Sequence, residues 1–491
     1  MNRAERLARL LRVLAAIIAE PGLNPLELAD RAGVSERTLR RDLAQLRDLG
    51  YEVAYTSGYE VQERLNLEGR ARRRTAARGD DALLQAVAHA VETAGLWHDA
   101  DGRAEAVAPR RARVRRAAPA ALVMLPSGAD DANFIYATGF GVEKGLYVRF
   151  AEGDDVLFVS PLEADRAREQ ARVSKVVEDR TAYVHESWAS LAATTLRERG
   201  ITSTRVAPTL SAVNLEDLRA LGLDVEVDRK LFLAERRRKT EAEAAGINDA
   251  QAAAEAAVVE VVRALSQAEI RDGLLWFDGD QLTSERLYAR AQLLLGEKGF
   301  TCPEMIIAGS PGSALPHFRG EGAIAAHAPV IIDVFPTSRS THLNGDLTRT
   351  VVVGEISDEV RRMHAAVLQA LDAGIESIAA GVPGQDPHHA VCQVLVDRGF
   401  GTTTRGYEGP DGVARMNHST GHGVGLEVHE APSIKDAVTD RLAEGDVVTV
   451  EPGLYLLGLG GVRIEDTGMV TKHGFRNFTT LTRSLNPRDY L

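Results

Sequence analysis

Cysteine is nearly absent from this sequence, which contains only Cys302 and Cys392 in 491 residues. Two cysteines so far apart exclude a disulfide framework and a paired-cysteine zinc site. They favour a reducing compartment, and we expect both to be small buried apolar residues. A long apolar run is also missing, because the stretch at residues 13–18 is short and arginines interrupt the helix around it. The sequence therefore predicts a cytoplasmic protein without a membrane partner.

Basic charge is in excess only near the N-terminus. The chain has a formal net charge of −12, yet residues 1–75 contain 14 arginines and 11 acidic residues, so the remainder carries −15. A mildly basic head on an acidic body indicates two different tasks. The acidic body argues against a protein that coats nucleic acid along its whole length. The length predicts about three domains.

The first 65 residues follow the pattern of a small helical domain. Apolar residues at helical spacing end at Pro21-Gly22. Asn24, Pro25 and Glu27 then have the types expected at a second helix start, and Ser35 caps a third helix. Two short strand-like runs follow around Ser57-Gly58. This order, with the stretch LELADRAGVSERTLRRDLAQLRDLGY, resembles a winged helix-turn-helix of the DeoR repressor type.

The third helix of this head carries the candidate DNA contacts. By the resemblance, the side chains near its start enter the major groove, while Leu39 and Leu43 face inward. A solvated helix in a protein-docking module is the alternative that we weigh against DNA binding. Such heads usually act as dimers, so we expect a homodimer. The candidate contacts are Arg37, Thr38, Arg40 and Arg41.

The segment 66–118 has the composition of a linker. Its arginine runs at residues 72–74 and 110–116 flank a stretch rich in Gly, Asp and Ala, with one weak helical pattern at residues 83–93. We favour a solvated connector over additional phosphate contacts.

An α/β pattern begins at residue 119 and continues to 235. Strand-like runs, such as residues 121–125 and 146–150, alternate with helical runs, such as residues 163–172 and 188–199. From about residue 229 the pattern predicts one long helix that contains Lys239 and Thr240. A third domain then occupies residues 236–491.

Five residues of this third domain form a candidate metal centre. Asp333 is the only polar residue of the strand pattern VIIDVF, and an unpaired carboxylate there is costly without a cation. Four carboxylates and one imidazole at strand ends balance the charge of two divalent ions. Paired ions bridge a water, lower its pKa and hold both oxygens of a tetrahedral intermediate. The residues are Asp333, Asp346, His422, Glu451 and Glu465.

Mostly oxygen ligands favour Mn²⁺, and also Co²⁺ or Fe²⁺, over a purely structural Zn²⁺. The segments GDLTRTVVVG, HSTGHGVGLEVHE and VVTVEPGLYLLGLGGVRIEDTG resemble those of the pita-bread metallopeptidases, in the branch of the Xaa-Pro aminopeptidases and prolidases. The resemblance implies that Asp333 binds one ion and that His422 and Glu451 bind the other. Asp346 and Glu465 would bridge both ions, and Glu451 would take the proton from the attacking water.

The same resemblance implies further catalytic residues. His317 in LPHF and His429 in VHE would contact the substrate, and His418 and Arg463 match residues of the Xaa-Pro branch. Positive or hydrogen-bonding donors at these places would stabilise the tetrahedral oxygen. His388 and His389, by contrast, are expected to lie at a helix start without a catalytic role.

The fold that these resemblances imply is α+β. A pita-bread catalytic domain follows an α/β domain like that of prolidases and creatinases, to which the stretch NFIYATGF at residues 133–140 is similar. The head is the winged helix-turn-helix. One departure is the spacing of Asp333 and Asp346, which is two residues longer than the family's usual spacing.

Three functions are compatible with this sequence. The first is a dinuclear-metal peptidase that cleaves Xaa-Pro bonds, as an aminopeptidase or a dipeptidase. The second is a transcription regulator that uses the pita-bread domain as a ligand sensor. The third is a hydrolase of a small non-peptide C–N substrate, although retention of all five ligands argues against its metal-free form.

Overall fold

The structure is a computed structural model that describes residues 121–179 and 187–491 continuously, and before them residues 13, 25–31, 34, 38–39, 43, 52–55 and 59–63. The chain divides into two compact units, Met1–Val114 and Arg115–Leu491. Each unit is described by itself. None of the helices in the described part of the chain combines the length and apolar character that crossing a membrane requires.

The first unit contains the predicted second helix and the predicted hairpin. Helix α1, Pro25–Arg31, begins at the proline that the sequence places at the first helical position. Strands β1, Glu52–Tyr55, and β2, Tyr59–Glu63, pair antiparallel across residues 56–58. Leu39 and Leu43 are buried, as predicted, and Thr38 is half-buried. The linker patterns and Arg37, Arg40 and Arg41 lie outside the described residues.

The second unit begins with a mixed six-stranded sheet, in the order β6-β5-β4-β3-β7-β8. Alternate residues of the central strand β3 face two different cores. Ala121 and Val123 pack into one core, and Leu122 and Met124 pack into the other. Helices therefore cover both faces of the sheet, which confirms the predicted α/β pattern. The strands are β3 Ala121–Met124, β4 Gly145–Phe150, β5 Asp155–Val159, β6 Val176–Glu178, β7 Ser203–Val206 and β8 Asp224–Val227, and the helices are α2 Ala132–Thr138, α3 Ala164–Gln170, α4 Trp188–Arg197 and α5 Ala212–Ala220.

Two helices, rather than the predicted single one, connect this sheet to the rest of the unit. Helix α6, Leu233–Arg237, ends at Arg238, whose backbone is extended, and helix α7, Glu241–Ser266, begins anew. Thr240 caps α7, because its hydroxyl accepts from the Glu243 N–H while the Glu243 carboxylate accepts from the Thr240 N–H. The prediction of one continuous helix was wrong, because a capping box competes with helix propagation at this point.

The remaining chain forms mostly antiparallel sheets between two helix pairs, with one parallel pairing between residues 401–402 and 415–416. Helix α7 and its partner α8 pack on one core, and α9 and α10 pack on a second. Two helix-covered halves with sheets between them match the fold that the pita-bread resemblance implies. The helices are α8 Ser284–Glu297, α9 Asp358–Glu376 and α10 Gln385–Asp397.

The larger sheets of this region have three, four and five strands, in the orders β13-β14-β16, β17-β18-β22-β23 and β20-β19-β21-β24-β25. The strands are β9 Glu269–Arg271, β10 Leu274–Phe277, β11 Asp280–Gln281, β12 Phe300–Thr301, β13 Ile306–Gly309, β14 Pro329–Val334, β15 Thr337–Ser338, β16 Leu347–Val352, β17 Gly401–Thr402, β18 Arg415–Met416, β19 Gly421–Gly423, β20 Glu430–Ile434, β21 Val447–Val450, β22 Gly453–Leu456, β23 Gly460–Arg463, β24 Asp466–Thr471 and β25 Gly474–Asn477. Short 3-10 helices lie at Gly312–Ala314 and Pro487–Tyr490.

A buried arginine joins β16 to the strand that follows Glu465. Arg349 has no exposed surface, and its guanidinium lies 2.9 Å from the Asp466 carboxylate. It also donates to the carbonyl of Glu465 at 2.6 Å and to the carbonyls of Leu481 and Thr482 at 2.8 Å each. A fully satisfied buried guanidinium of this kind fixes the backbone beside Glu465.

We expect Arg349→Met to lower the free energy of unfolding by about 3–5 kcal/mol, because it leaves Oδ1 of the buried Asp466 carboxylate and several carbonyls without their donor, although Arg483 and Asn477 still bind Oδ2. Urea unfolding of the full chain, followed by circular dichroism, measures the effect. The matched control is Arg263→Met, which removes a half-exposed i,i+3 ion pair and should cost under about 1 kcal/mol. Equal effects of the two variants would contradict the assigned role of Arg349.

Candidate active site

The five predicted ligands lie at the inner edges of the central sheets. Asp333 lies in β14, where all six residues are buried, and Asp346 immediately precedes β16, which pairs with β14. His422 is the central residue of β19, Glu451 follows β21, and Glu465 lies between β23 and β24. The strand ends that the sequence predicted therefore meet in one region of the fold.

Three of these residues approach one another closely. Asp346, His422 and Glu465 each place a possible ligand atom within 4.8 Å of the other two. The Nε2 atom of His422 lies 3.6 Å from a carboxylate oxygen of Asp346 and 3.6 Å from one of Glu451. The arrangement thus joins three carboxylates and one imidazole around a single point.

Asp333 completes the set from the other side and has one oxygen without a partner. Its Oδ2 atom lies 2.5 Å from Nη2 of Arg463, which is itself buried. Its Oδ1 atom is buried and has no hydrogen-bond donor among the described residues. A buried carboxylate oxygen without a donor is costly, and a bound cation is the compensation that suits it.

The electrostatics of the site favour cations as well. Burial raises the pKa of Asp346 and of Glu465 well above the usual range, and the neighbouring carboxylates raise both further. Burial also raises the pKa of Glu451 to about 8. Burial lowers the pKa of His422 to about 4, so its imidazole is neutral, as a metal ligand must be. This donor set of oxygens and one neutral nitrogen fits divalent cations.

Two glycines hold His422 in place. A side chain on Gly421 would lie 2.0 Å from the carbonyl oxygen of Thr449, and one on Gly423 would lie 2.3 Å from that of Ala431. Strand β19 therefore packs so closely between β20 and β21 that only glycine fits on either side of His422. The motif Gly-His-Gly is consequently a steric requirement of the sheet.

Gln251 supports Asp346 and was missed in the sequence. This residue of α7 is fully buried, and its side-chain amide donates to the Asp346 carbonyl and accepts from the Asp346 N–H, both at 2.9 Å. Gly345 allows the approach, because a side chain there would lie 2.6 Å from the Ala250 backbone. The sequence signal was a single glutamine within an alanine-rich helical face.

Tyr455 was also missed and connects two predicted residues. Its hydroxyl accepts a hydrogen bond from Nη1 of Arg463 at 2.8 Å and lies 2.9 Å from Nε2 of His418. Burial raises the pKa of Tyr455 to about 12, so the hydroxyl stays protonated. Burial, with the nearby Arg463 charge, lowers the pKa of His418 to about 3. A buried tyrosine on the strand that pairs with Arg463 was the available signal.

The ligands open into a cavity of about 1000 Å³. His317, His418 and His429 line it together with all five ligands, and the His429 ring centroid lies 4.2 Å from that of His422. His317 and His429 are solvent-accessible within it. The structure therefore brings every predicted catalytic and metal-binding residue to one chamber.

His388 lies at the start of α10, as predicted, but its side chain is buried behind the site. It lies 2.8 Å from the hydroxyls of both Thr404 and Thr420. Thr420 in turn accepts the Glu451 N–H at 2.8 Å through its carbonyl. His388 is therefore linked to Glu451 through one residue.

We expect the metal-free protein to lose stability as pH rises from about 7 to 8 and to lose no more above that. The pKa of Glu451 is higher in the folded state than in the unfolded state, so protonation favours folding, and this contribution decreases with rising pH until it is gone above about 8. The buried histidines, whose pKa values lie lower, do not titrate in this window. Thermal midpoints measured with chelator and with Mn²⁺ should diverge as pH increases, because cations displace these protons. Glu451→Gln should flatten the chelator profile, whereas parallel profiles with and without Mn²⁺ would contradict the expectation.

Known families match three parts of the chain. Residues 245–472 match Metallopeptidase family M24, residues 110–222 match the Creatinase/Prolidase N-terminal domain, and residues 9–60 match an HTH domain. The chain is 28% identical over 364 residues to a Xaa-Pro dipeptidase of Pyrococcus horikoshii. The aligned region covers 73% of this chain and 93% of the relative.

A second relative and a solved structure agree with these matches. The Xaa-Pro dipeptidase of Pyrococcus furiosus is 28% identical over 362 residues, 73% of this chain and 93% of the relative. The solved prolidase from Pyrococcus furiosus superposes with a TM-score of 0.62 at 26% identity, over 74% of this chain and 97% of that chain. The predicted fold is confirmed, and the chain carries an M24 metallopeptidase domain at residues 245–472 behind a creatinase/prolidase N-terminal domain and an HTH domain.

Proposed function

We propose that this protein is a two-metal Xaa-Pro dipeptidase. The observation that carries the proposal is the convergence of three buried carboxylates, the half-buried Glu451 and the neutral His422 on one cavity, where one oxygen of Asp333 has no donor among the described residues. The names of the Pyrococcus relatives, which align over almost their whole length, support the choice of substrate. A small non-peptide C–N substrate is the alternative within the same chemistry.

Five residues would hold the cations. Asp333 would hold one ion through its free oxygen, and His422 with Glu451 would hold the other. Asp346 and Glu465, whose pKa values are raised by burial and by neighbouring carboxylates, would be shared by both ions. When bound, paired divalent cations lower the pKa of a water and stabilise negative charge on a tetrahedral oxygen. Mn²⁺ is the proposed native ion.

The chain's own side chains would perform the proton transfers. Glu451, which lines the cavity beside His422, would accept a proton from the attacking water and return it to the leaving nitrogen. Arg463 holds Asp333 and Tyr455 in place. The Ser419 carbonyl and the Tyr455 hydroxyl engage the two ring nitrogens of the neutral His418, which lines the cavity. His317 and His429 also line the cavity and would donate hydrogen bonds to the substrate.

The HTH domain gives the protein a second proposed activity. We propose that the third helix of the head binds DNA through Arg37, Thr38, Arg40 and Arg41 and that the protein acts as a homodimer. Leu39 and Leu43 are buried, and this burial supports the prediction that they face inward, on which the assignment of the DNA contacts depends. We propose the domain limits 1–65, 66–118, 119–235 and 236–491. The second candidate function is a regulatory role in which the cavity acts as a ligand sensor.

The wild-type protein with Mn²⁺ should hydrolyse Ala-Pro but not Ala-Leu, and chelator should abolish the activity. Glu451→Gln should lower kcat by about 10²–10⁴-fold, because a positioned general base contributes that much. Proline release, measured by amino-acid analysis, follows the reaction, and Ala-Pro-Gly separates a dipeptidase from an aminopeptidase. Arg168→Met, which removes an exposed ion pair, serves as the control. Failure of every proline peptide with Mn²⁺, Co²⁺, Fe²⁺ and Zn²⁺ would refute the proposed activity.

The full chain should shift DNA from its own upstream region in an electrophoretic assay. Arg40→Ala and Arg41→Ala should each weaken binding and reduce the salt slope by about 1 for each lost phosphate contact. Lys472→Ala, which changes the last residue of the M24 match, is the control and should leave DNA binding unchanged. Equal affinity for unrelated DNA would refute sequence-specific regulation. Repeating the assay with Mn²⁺ and Ala-Pro tests whether the cavity acts as a sensor.

A further inference from the structure

A buried arginine outside the metal centre reaches the cavity wall from the connection between the two domains of the second unit. Arg236, on α6, lines the cavity, and its side chain is 8% exposed. Its Nη2 atom lies 2.5 Å from the Glu430 carboxylate and 2.6 Å from that of Glu427. Its Nη1 atom donates to the side-chain oxygen of Asn133 at 3.1 Å. One guanidinium thus contacts two distant segments of the chain, one at Asn133 and one at residues 427–430.

A second cation from the same connection binds the same carboxylate. Nζ of Lys239 lies 2.5 Å from Oε1 of Glu430, while Arg236 binds Oε2. The side chains of Lys239 and Glu430 are 3% and 5% exposed. Gly425 leaves room for this carboxylate, because a side chain there would lie 2.5 Å from Glu430 Oε1. We name Arg236, Lys239 and Glu430 the hinge clamp.

The hinge clamp lies directly beside two residues of the site. Glu430 follows His429 in the chain, and it begins β20. Across the sheet Glu430 pairs with Gly423, the neighbour of His422 in β19, at an irregularity in the ladder. A register irregularity leaves the backbone less constrained by strand pairing alone. Two charge-assisted bonds to Glu430 therefore fix the backbone from which His429 extends.

The clamp also connects the site to the N-terminal sheet domain. Asn133 is buried near the start of α2, and Asp131 caps that helix. The Arg236 guanidinium binds Asn133 through Nη1 and the two glutamates through Nη2. One rigid planar group therefore sets both the position of α2 and the position of the His429 backbone.

We propose that Arg236 is a positioning residue that places His429 in the cavity through Glu430, with Lys239 as its second support, and that Asn133 makes this placement depend on the N-terminal domain. This inference rests on the proposed peptidase function only for its kinetic readout. The structural readout below does not require any substrate to be turned over.

The neighbouring residue Arg237 provides a matched control. It lies on the same helix and forms a two-pronged bond with the buried Asp446, at 2.7 and 3.0 Å. Arg237 is not among the residues that line the cavity. Replacing either arginine by methionine therefore removes a comparable buried ion pair, but only Arg236→Met removes the contact with Glu430.

The test compares Arg236→Met, Arg236→Lys, Asn133→Ala and Arg237→Met in the full chain. Hydrogen exchange followed by mass spectrometry, with Mn²⁺ and with chelator, reports the backbone of residues 423–434. We expect Arg236→Met to raise exchange there at least 10-fold and to lower kcat about 10–100-fold with little change in KM. Arg237→Met should lower the thermal midpoint similarly while leaving exchange at 423–434 and kcat within about twofold of wild type.

The conservative variants separate the two halves of the proposal. Arg236→Lys keeps a charge for Glu430 but cannot reach Asn133 at the same time, so it should recover part of kcat. Asn133→Ala should then add little to Arg236→Lys, although it should lower kcat by itself about threefold or more in the wild-type background. Full additivity of these two substitutions would overturn the link to the N-terminal domain.

Three further outcomes are decisive. Unchanged exchange at 423–434 in Arg236→Met would overturn the positioning role whatever the activity. A higher KM with unchanged kcat and unchanged exchange would identify Arg236 as a direct substrate contact and also overturn it. If Arg236→Met raises exchange at 423–434 but the wild-type protein cleaves no proline peptide, the clamp is supported and the proposed function is refuted. The two failures are therefore distinguishable.

Discussion

Four carboxylates, three of them buried and Glu451 half-buried, repel one another around one imidazole, and the compensation of this repulsion is the constraint on which the rest of the catalytic region depends. Burial and mutual proximity raise the pKa values of Asp346, Glu451 and Glu465. Arg463 compensates only one oxygen of Asp333 and leaves the other without a donor. The fold holds these groups together at an energetic cost that bound divalent cations offset, so the site is a cation site by its electrostatics before any ligand is considered.

The scaffold around the site opposes this repulsion with backbone contacts. Gln251 holds the Asp346 peptide in two directions, Arg349 holds the carbonyl of Glu465, and Gly421 and Gly423 allow β19 to pack against its neighbours. Each of these contacts acts on the backbone and leaves the ligand side chain free to coordinate. Ligand orientation is thereby set by elements of regular structure rather than by loops, which is how precise metal sites are built.

A polar layer behind the ligands connects them to the substrate-facing histidines. Arg463, Tyr455 and His418 form one continuous hydrogen-bonded chain from Asp333 to the cavity wall. Elsewhere along the cavity, Arg236 and Lys239 hold Glu430 next to His429. The two layers differ in origin, because the first is formed within the M24 domain and the second comes from the connection to the N-terminal sheet. Through Arg236 and Asn133 the chamber is linked to the N-terminal sheet domain.

The sequence predicted what depends on local pattern. The isolated Asp333 in an apolar strand and the carboxylates at strand ends identify their chemistry from neighbours a few positions away, and the alternation of strands and helices predicts the layers of the fold. The helix break at Thr240 was missed although its signal is local, because the capping box was read as part of a longer helix.

Contacts between distant segments were decided by the tertiary structure alone. Gln251 meets Asp346 across 95 positions, and Arg236 meets Glu430 across 194. A glutamine in a helix or an arginine in a charged run has the same local appearance whether it is solvated or buried against a partner. The sequence by itself determined which side chains can bind cations and transfer protons. Only the packing of sheets and helices decided which residues hold them, because that depends on burial and on distances that no local pattern encodes.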